Sequence, residues 1–94
     1  MDHSYKALAD PTRRQILSLL REKDLTAGEI AAEFDMAWPS VSRHLGVLKH
    51  AGLVLTERDG QYIRYELNTT VIQDIVSDLI GLADRRRKGS RANA

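Results

Sequence analysis

Between Trp38 and Gly52 the chain reads W-P-S-V-S-R-H-L-G-V-L-K-H-A-G, a stretch dense in side chains capable of chemistry. Ser40 and His44 stand four residues apart, one turn of a helix, which is a spacing that would suit a nucleophile and its base. Catalysis needs more than that. No carboxylate lies between Met36 and Leu55 to orient an imidazole, and no glycine-rich loop supplies an oxyanion or phosphate cradle. Ser40, Ser42, Arg43, His44, Lys49 and His50 are instead hydrogen-bonding and cationic groups in a segment free of acids. A solvated helix face ordinarily mixes Glu with Lys, because opposite charges one turn apart support each other. A face that excludes acids suits a helix laid against phosphates and base edges, so the stretch reads as a DNA recognition helix.

Such a helix must have an apolar back. Val41, Leu45 and Leu48 recur at i, i+4 and i+7 and supply it. At about 100° per residue, Pro39, Ser42, Arg43, Gly46 and Val47 fall on the opposite side, with Ser40 at its edge. His44 sits at the rim of the core face, where a structural role and a DNA contact both stay open. Pro39 fits the first turn, and Gly52 closes the helix where positive φ is needed.

The neighbouring elements follow from local signals. Thr26 and Glu29 have capping-box spacing and predict a helix to about Phe34, with Ile30 and Phe34 inward. The turn Asp35-Met36-Ala37 then makes a helix-turn-helix unit with the recognition helix. Residues 53–59 and 61–67 read as two strands joined at Asp59-Gly60. A two-residue turn there puts Val54, Thr56, Ile63, Tyr65 and Leu67 on one face. Leu55, Glu57, Tyr62 and Arg64 share the other. The tip of this wing offers Arg58, Gln61, Tyr62 and Arg64 to a phosphate backbone or a minor groove.

Upstream, a short amphipathic helix around His3 to Ala9 has Tyr5, Leu8 and Ala9 on one side, and Asp10-Pro11 is a cap-and-first-residue pair for the next helix. That helix, 11–21, buries Ile16, Leu17, Leu19 and Leu20 and leaves Arg13, Arg14 and Arg21 outside. Arg13 opposes the macrodipole, which predicts an acid or a phosphate as its partner. Downstream, Asn68-Thr69 or Thr70 caps a last helix, 71–86. Its apolar residues span half its circumference, more than a peripheral helix needs. Ile72, Ile75, Val76, Leu79, Ile80 and Ala83, with Tyr5 and Leu8 from the first helix, are therefore expected to pair with a second copy of the chain. Residues 1–86 form the domain, and 87–94 a basic tail expected to be disordered.

Composition sets the outer limits. Ninety-four residues make one domain that buries roughly two-thirds of its unfolded surface. The lack of cysteine removes disulfides and thiolate sites, and no apolar run approaches a membrane span, so a cytoplasmic protein is the default. The net charge of +1 hides an asymmetry: from Met36 to Tyr65, Arg43, Lys49, Arg58 and Arg64 face only Glu57 and Asp59.

The segments L-A-D-P-T-R-R-Q-I-L-S-L-L, T-A-G-E-I-A, P-S-V-S-R-H-L-G-V-L-K-H-A-G-L-V and R-D-G-Q-Y-I-R-Y-E-L, in this order, resemble the ArsR-type winged-helix bacterial repressors over roughly residues 5–70, closest to the cysteine-free members. The resemblance implies a mainly α winged helix-turn-helix of about five helices with a two-stranded wing. It also implies a homodimer joined through first and last helices, binding a palindromic operator in double-stranded DNA and blocking transcription, with autorepression at its own operon as one form of this. Ser40, Ser42, Arg43 and His44 would lie in or beside the major groove, Lys49 and His50 toward phosphate, and Arg58, Gln61 and Tyr62 in the wing. Two positions depart from the pattern: Ala37 stands where Ser or Thr is usual, and Trp38 where a polar residue is more common. Trp38 is open to two readings, stacking on sugar or a thymine methyl, or packing against the preceding helix.

Many relatives release DNA when metal binds. Here 29–35 holds no Cys, and the last helix offers Asp74, Asp78 and Asp84 without a histidine. Carboxylates alone make a weak transition-metal site, so no metal, no cofactor and no metal switch is expected. The effector, if the protein has one, is not written in these residues. The alternative function is a winged-helix module that docks on protein without sequence-specific DNA binding. Its contact face would favour Leu, Phe or Tyr over Ser and Arg.

Overall fold

The computed structural model describes residues 2–92, with side chains for 3–84. Helix starts follow the expected caps. Asp10 precedes α2 (Pro11–Glu22), its Oδ1 accepting from the Arg13 backbone N–H at 3.1 Å. Thr26 precedes α3 (Ala27–Ala31) in a reciprocal capping box: Thr26 Oγ1 accepts from the Glu29 N–H at 3.2 Å, and Glu29 Oε1 from the Thr26 N–H at 2.8 Å. These local bonds satisfy amides that have no partner inside a helix. α3 ends at Ala31, short of the expected Phe34, and Phe34 still packs partly buried against the core.

α4 (Trp38–His50) follows, and it closes as expected at Gly52, whose φ is +78°. The Gly52 N–H bonds to Lys49 O and the Leu53 N–H to Leu48 O, each at 3.0 Å, which is a Schellman closure. The chain then forms a hairpin of β2 (Val54–Asp59) and β3 (Tyr62–Leu67). The face assignment holds, but the turn does not sit at Asp59-Gly60. Asp59 pairs with Tyr62, so Gly60-Gln61 make the turn and the register is displaced by two residues. Gly60 has φ +65° and Gln61 does not have positive φ, so the glycine takes the first central position, as in a II′ turn. A third strand, β1 (Leu25–Thr26), was not expected. It pairs antiparallel with β3 through Leu25↔Tyr65 and Thr26↔Arg64, giving the order β1-β3-β2.

The core collects Ile16, Leu17 and Leu20 of α2, Ile30 of α3, Val41, Leu45 and Leu48 of α4, and Leu25, Leu53 and Val54 from the sheet side. α1 (Asp2–Leu8) closes it through Ser4 and Ala7, with Leu8 partly buried, while Tyr5 and the following Ala9 are exposed. The arginines of α2 tie the end of α1 down. Arg13 Nε donates to Ala7 O at 2.8 Å, its Nη2 to Lys6 O at 3.1 Å, and Arg14 Nη1 to Leu8 O at 2.7 Å. The Arg13 guanidinium is therefore engaged chiefly by backbone carbonyls, with the Asp10 carboxylate nearby. It satisfies the last carbonyls of α1, where a cation is electrostatically favoured.

α5 (Thr69–Ala92) starts at Asn68, whose Oδ1 accepts from the Val71 N–H at 3.4 Å. The same side chain donates to Gly52 O at 2.9 Å, tying the end of α4 to the start of α5. Among the described residues of α5, the first turns join the core, through Val71, Ile72 and Ile75. Ile75 is 3% exposed in a single protomer, so it belongs to the monomer's core and not, as expected, to a surface awaiting a second copy. Val76, Leu79, Ile80 and Leu82 remain exposed, as does Ala83. α5 runs on to Ala92, past the expected end at 86, so most of the tail expected to be disordered at 87–94 continues the helix; its side chains lie outside those described. Among the described residues, no helix is long and apolar enough to cross a membrane.

Candidate nucleic-acid interface

α4 is anchored on one side by Val41, Leu45 and Leu48, each no more than 2% exposed. Its other side presents Pro39, Ser42, Arg43, Gly46, Lys49 and His50 to solvent, with Ser40 half-buried. As expected, Ala37 gives α4 no side-chain cap. The only ion pairs among the described residues are Arg21–Glu22 and Arg64–Asp59, so Arg43 and Lys49 have no carboxylate partner there. Unpaired cations on a rigid helix keep their charge available to an external anion.

His44 falls on the core side. It is 8% exposed, and its Nδ1 lies 3.2 Å from Arg13 Nη1. A guanidinium only donates, so Nδ1 accepts, and the ring is fixed against α2. This corrects the expected groove contact: His44 positions the helix through Arg13. Asp10 belongs to the same cluster. Its carboxyl is held below the ordinary carboxylate range, chiefly by the Arg13 backbone N–H.

The wing divides its cations. Arg58 is paired with Ile63 and Arg64 with Glu57, and alternation along the strands puts the two guanidiniums on opposite faces. Arg64 is bound to the Asp59 carboxylate, which raises its pKa, and it lies in the field of Glu29 and Asp24. It is therefore compensated within the protein, a correction to the expectation of a wing cation offered to DNA. Arg58, Gln61 and Tyr62 are exposed at the tip.

Sequence reasoning missed one contribution. α1 lies along α4, held by the Ser4 Oγ bond to Ala51 O at 3.3 Å. Between the two helices runs a cleft of about 470 Å³ lined by His3, Lys6, Arg43, Gly46, Val47 and His50. The rings of His3 and His50 meet edge to face, with centroids 4.7 Å apart. The signal was present as basic residues at the third and sixth positions, but only the packing of α1 on α4 brings them beside Arg43. Among the described residues, no three His, Asp or Glu side chains gather where they could hold a metal ion.

A short helix, a turn and a second helix with an outward basic face, followed by a hairpin, define a winged helix-turn-helix. Residues 10–56 match the family described as bacterial regulatory protein, arsR family. The transcriptional repressor SdpR of Bacillus subtilis is 46% identical over 85 residues, covering 90% of this chain and 94% of that one. The arsenic resistance transcriptional regulator ArsR1 of Pseudomonas putida is 35% identical, over 89% of this chain and 66% of its own length. Among solved structures, an ArsR-like transcriptional regulator from Rhodococcus superposes with a TM-score of 0.81 at 28% identity, covering 95% of this chain and 86% of that one. The chain belongs to the ArsR family. It is a DNA-binding regulator of transcription, not an enzyme.

Proposed function

We propose that the protein is a homodimeric repressor that binds a palindromic operator, its own promoter being the first candidate, through α4 and the wing. The observation that carries this reading is the outer face of α4: exposed, cationic, without acids from Met36 to Leu55, and unpaired among the described residues. Ser42 and Arg43 meet base edges in the major groove, with Pro39 and Ser40 beside them. Lys49 and His50 reach phosphate, joined by His3 and Lys6 across the α1–α4 cleft. Arg58, Gln61 and Tyr62 touch the backbone from the wing.

The dimer supplies the spacing. Val76 at 48%, Leu79 at 52% and Ile80 at 55% exposure form an apolar band on α5, and Tyr5 is exposed on α1. A contiguous surface of that kind is what a two-fold partner covers. The experiment is a salt titration of binding to duplexes selected from random-sequence DNA. Affinity is expected to fall steeply with salt through counterion release, and to be far tighter for an inverted repeat than for unrelated duplex. Salt-insensitive binding without sequence preference would overturn the reading.

A further inference from the structure

Trp38 is the chain's only tryptophan and the first residue of α4. Phe34 and Met36, just before it, pack partly buried against the core, whereas the indole of Trp38 is left 52% exposed. Packing within the protein, one of the two readings open from sequence, therefore covers only about half of the indole and leaves the rest available. An exposed indole offers a large, rigid face with a polar N–H edge, the kind of group that contributes strongly to a contact when a partner covers it. Its position indicates what. The first turn of a recognition helix is the part that enters the major groove, and Ser42, one turn on from Trp38, belongs to the exposed face. The apolar group that a major groove presents is the C5-methyl of thymine.

We propose that Trp38 is a specificity-determining contact, its indole set against a thymine methyl in each half-site. The proposal rests on the assignment of α4 to the groove and adds the base that this chain selects there. Neighbouring Ser42 and Arg43 supply the polar contacts to the adjoining base edges, so the first turns of the helix read one apolar and one polar feature side by side.

Because no other tryptophan is present, emission excited at the red edge of the absorption band reports this one side chain. The full-length protein is titrated with a duplex selected from random-sequence DNA, and fluorescence anisotropy of labelled DNA follows binding in parallel. Trp38 emission is expected to be quenched or shifted by the selected duplex at saturation, and much less by an unrelated duplex. Each thymine of the half-site is then replaced in turn by deoxyuridine, which removes only the methyl. One replacement is expected to weaken the wild type about fourfold, the worth of one buried methyl, and to leave Trp38→Ala unaffected. Trp38→Ala itself is expected to lose about tenfold on the selected duplex while keeping its affinity for unrelated DNA. Silent emission at saturation, or a deoxyuridine scan in which wild type and Trp38→Ala respond alike, would overturn the proposal and leave the groove assignment standing. Failure to bind any duplex would remove both.

Discussion

Arg43 and His44 are adjacent in the chain and face opposite ways. Arg43 is exposed with no carboxylate partner among the described residues, and His44 is buried against Arg13. Arg43→Ala is expected to cost on the order of 1–3 kcal/mol on the selected duplex while leaving the melting temperature unchanged, as anisotropy and thermal melts would report. Gly46 gives a different split. It sits inside α4, and a Cβ there would meet nothing within 4 Å, so Gly46→Ala should stabilise the fold by about 0.5–1 kcal/mol. The same methyl stands on the face proposed to approach DNA and should weaken operator binding. A variant that gained both stability and affinity would argue against close approach at that point. Helical periodicity was enough to place Val41, Leu45 and Leu48 inside and Arg43 outside. It left His44 undecided, because a residue at the rim of a stripe is assigned by its partner, and Arg13 lies on another helix.

At the level of elements, the boundaries written in short-range chemistry were legible. Asp10-Pro11, the Thr26/Glu29 box and Gly52 each act within a few residues of themselves. Gly52 at φ +78° has open space around its Cβ position, so Gly52→Ala pays only for backbone conformation, about 1–2 kcal/mol, read as a lowered melting temperature. The two acidic caps predict a pH response. Asp10 and Glu29 both titrate below their ordinary values, held mainly by the backbone N–H groups of Arg13 and Thr26 respectively. A carboxyl whose folded pKa is depressed stabilises the fold above its unfolded value, and that contribution is lost as pH falls through the lowered folded value. Acid melts followed by circular dichroism should therefore show stability declining below about pH 4, and less steeply in Asp10→Asn and Glu29→Gln. What escaped the sequence was long-range. β1 is two residues long, too short for alternation to show, and its partner lies beyond the recognition helix. The hairpin turn moved because Asp-Gly can place its glycine at either central position, and pairing of Val54 with Leu67 settles which.

For the whole molecule, the exposed band on α5 and the face of α4 have to be considered together. One protomer presents one recognition helix, and a palindrome needs two at fixed separation. Leu79→Glu or Ile80→Glu is expected to shift the protein to monomer in sedimentation and to weaken operator binding on the order of a hundredfold or more, since the second half-site then binds without the first. Ile75 shows why this surface was only half legible. It carries the same helical periodicity as Leu79, but the first turns of α5 lie on the core and the later turns do not. The most direct measurement is a hydroxyl-radical and methylation footprint on a duplex selected by the protein. Two protected major-groove patches are expected on one side of the DNA, related by an inverted repeat and centred about 34 Å apart. A single patch, or protection that follows no inverted repeat, would contradict the two-fold pairing of recognition helices on which the proposed function stands.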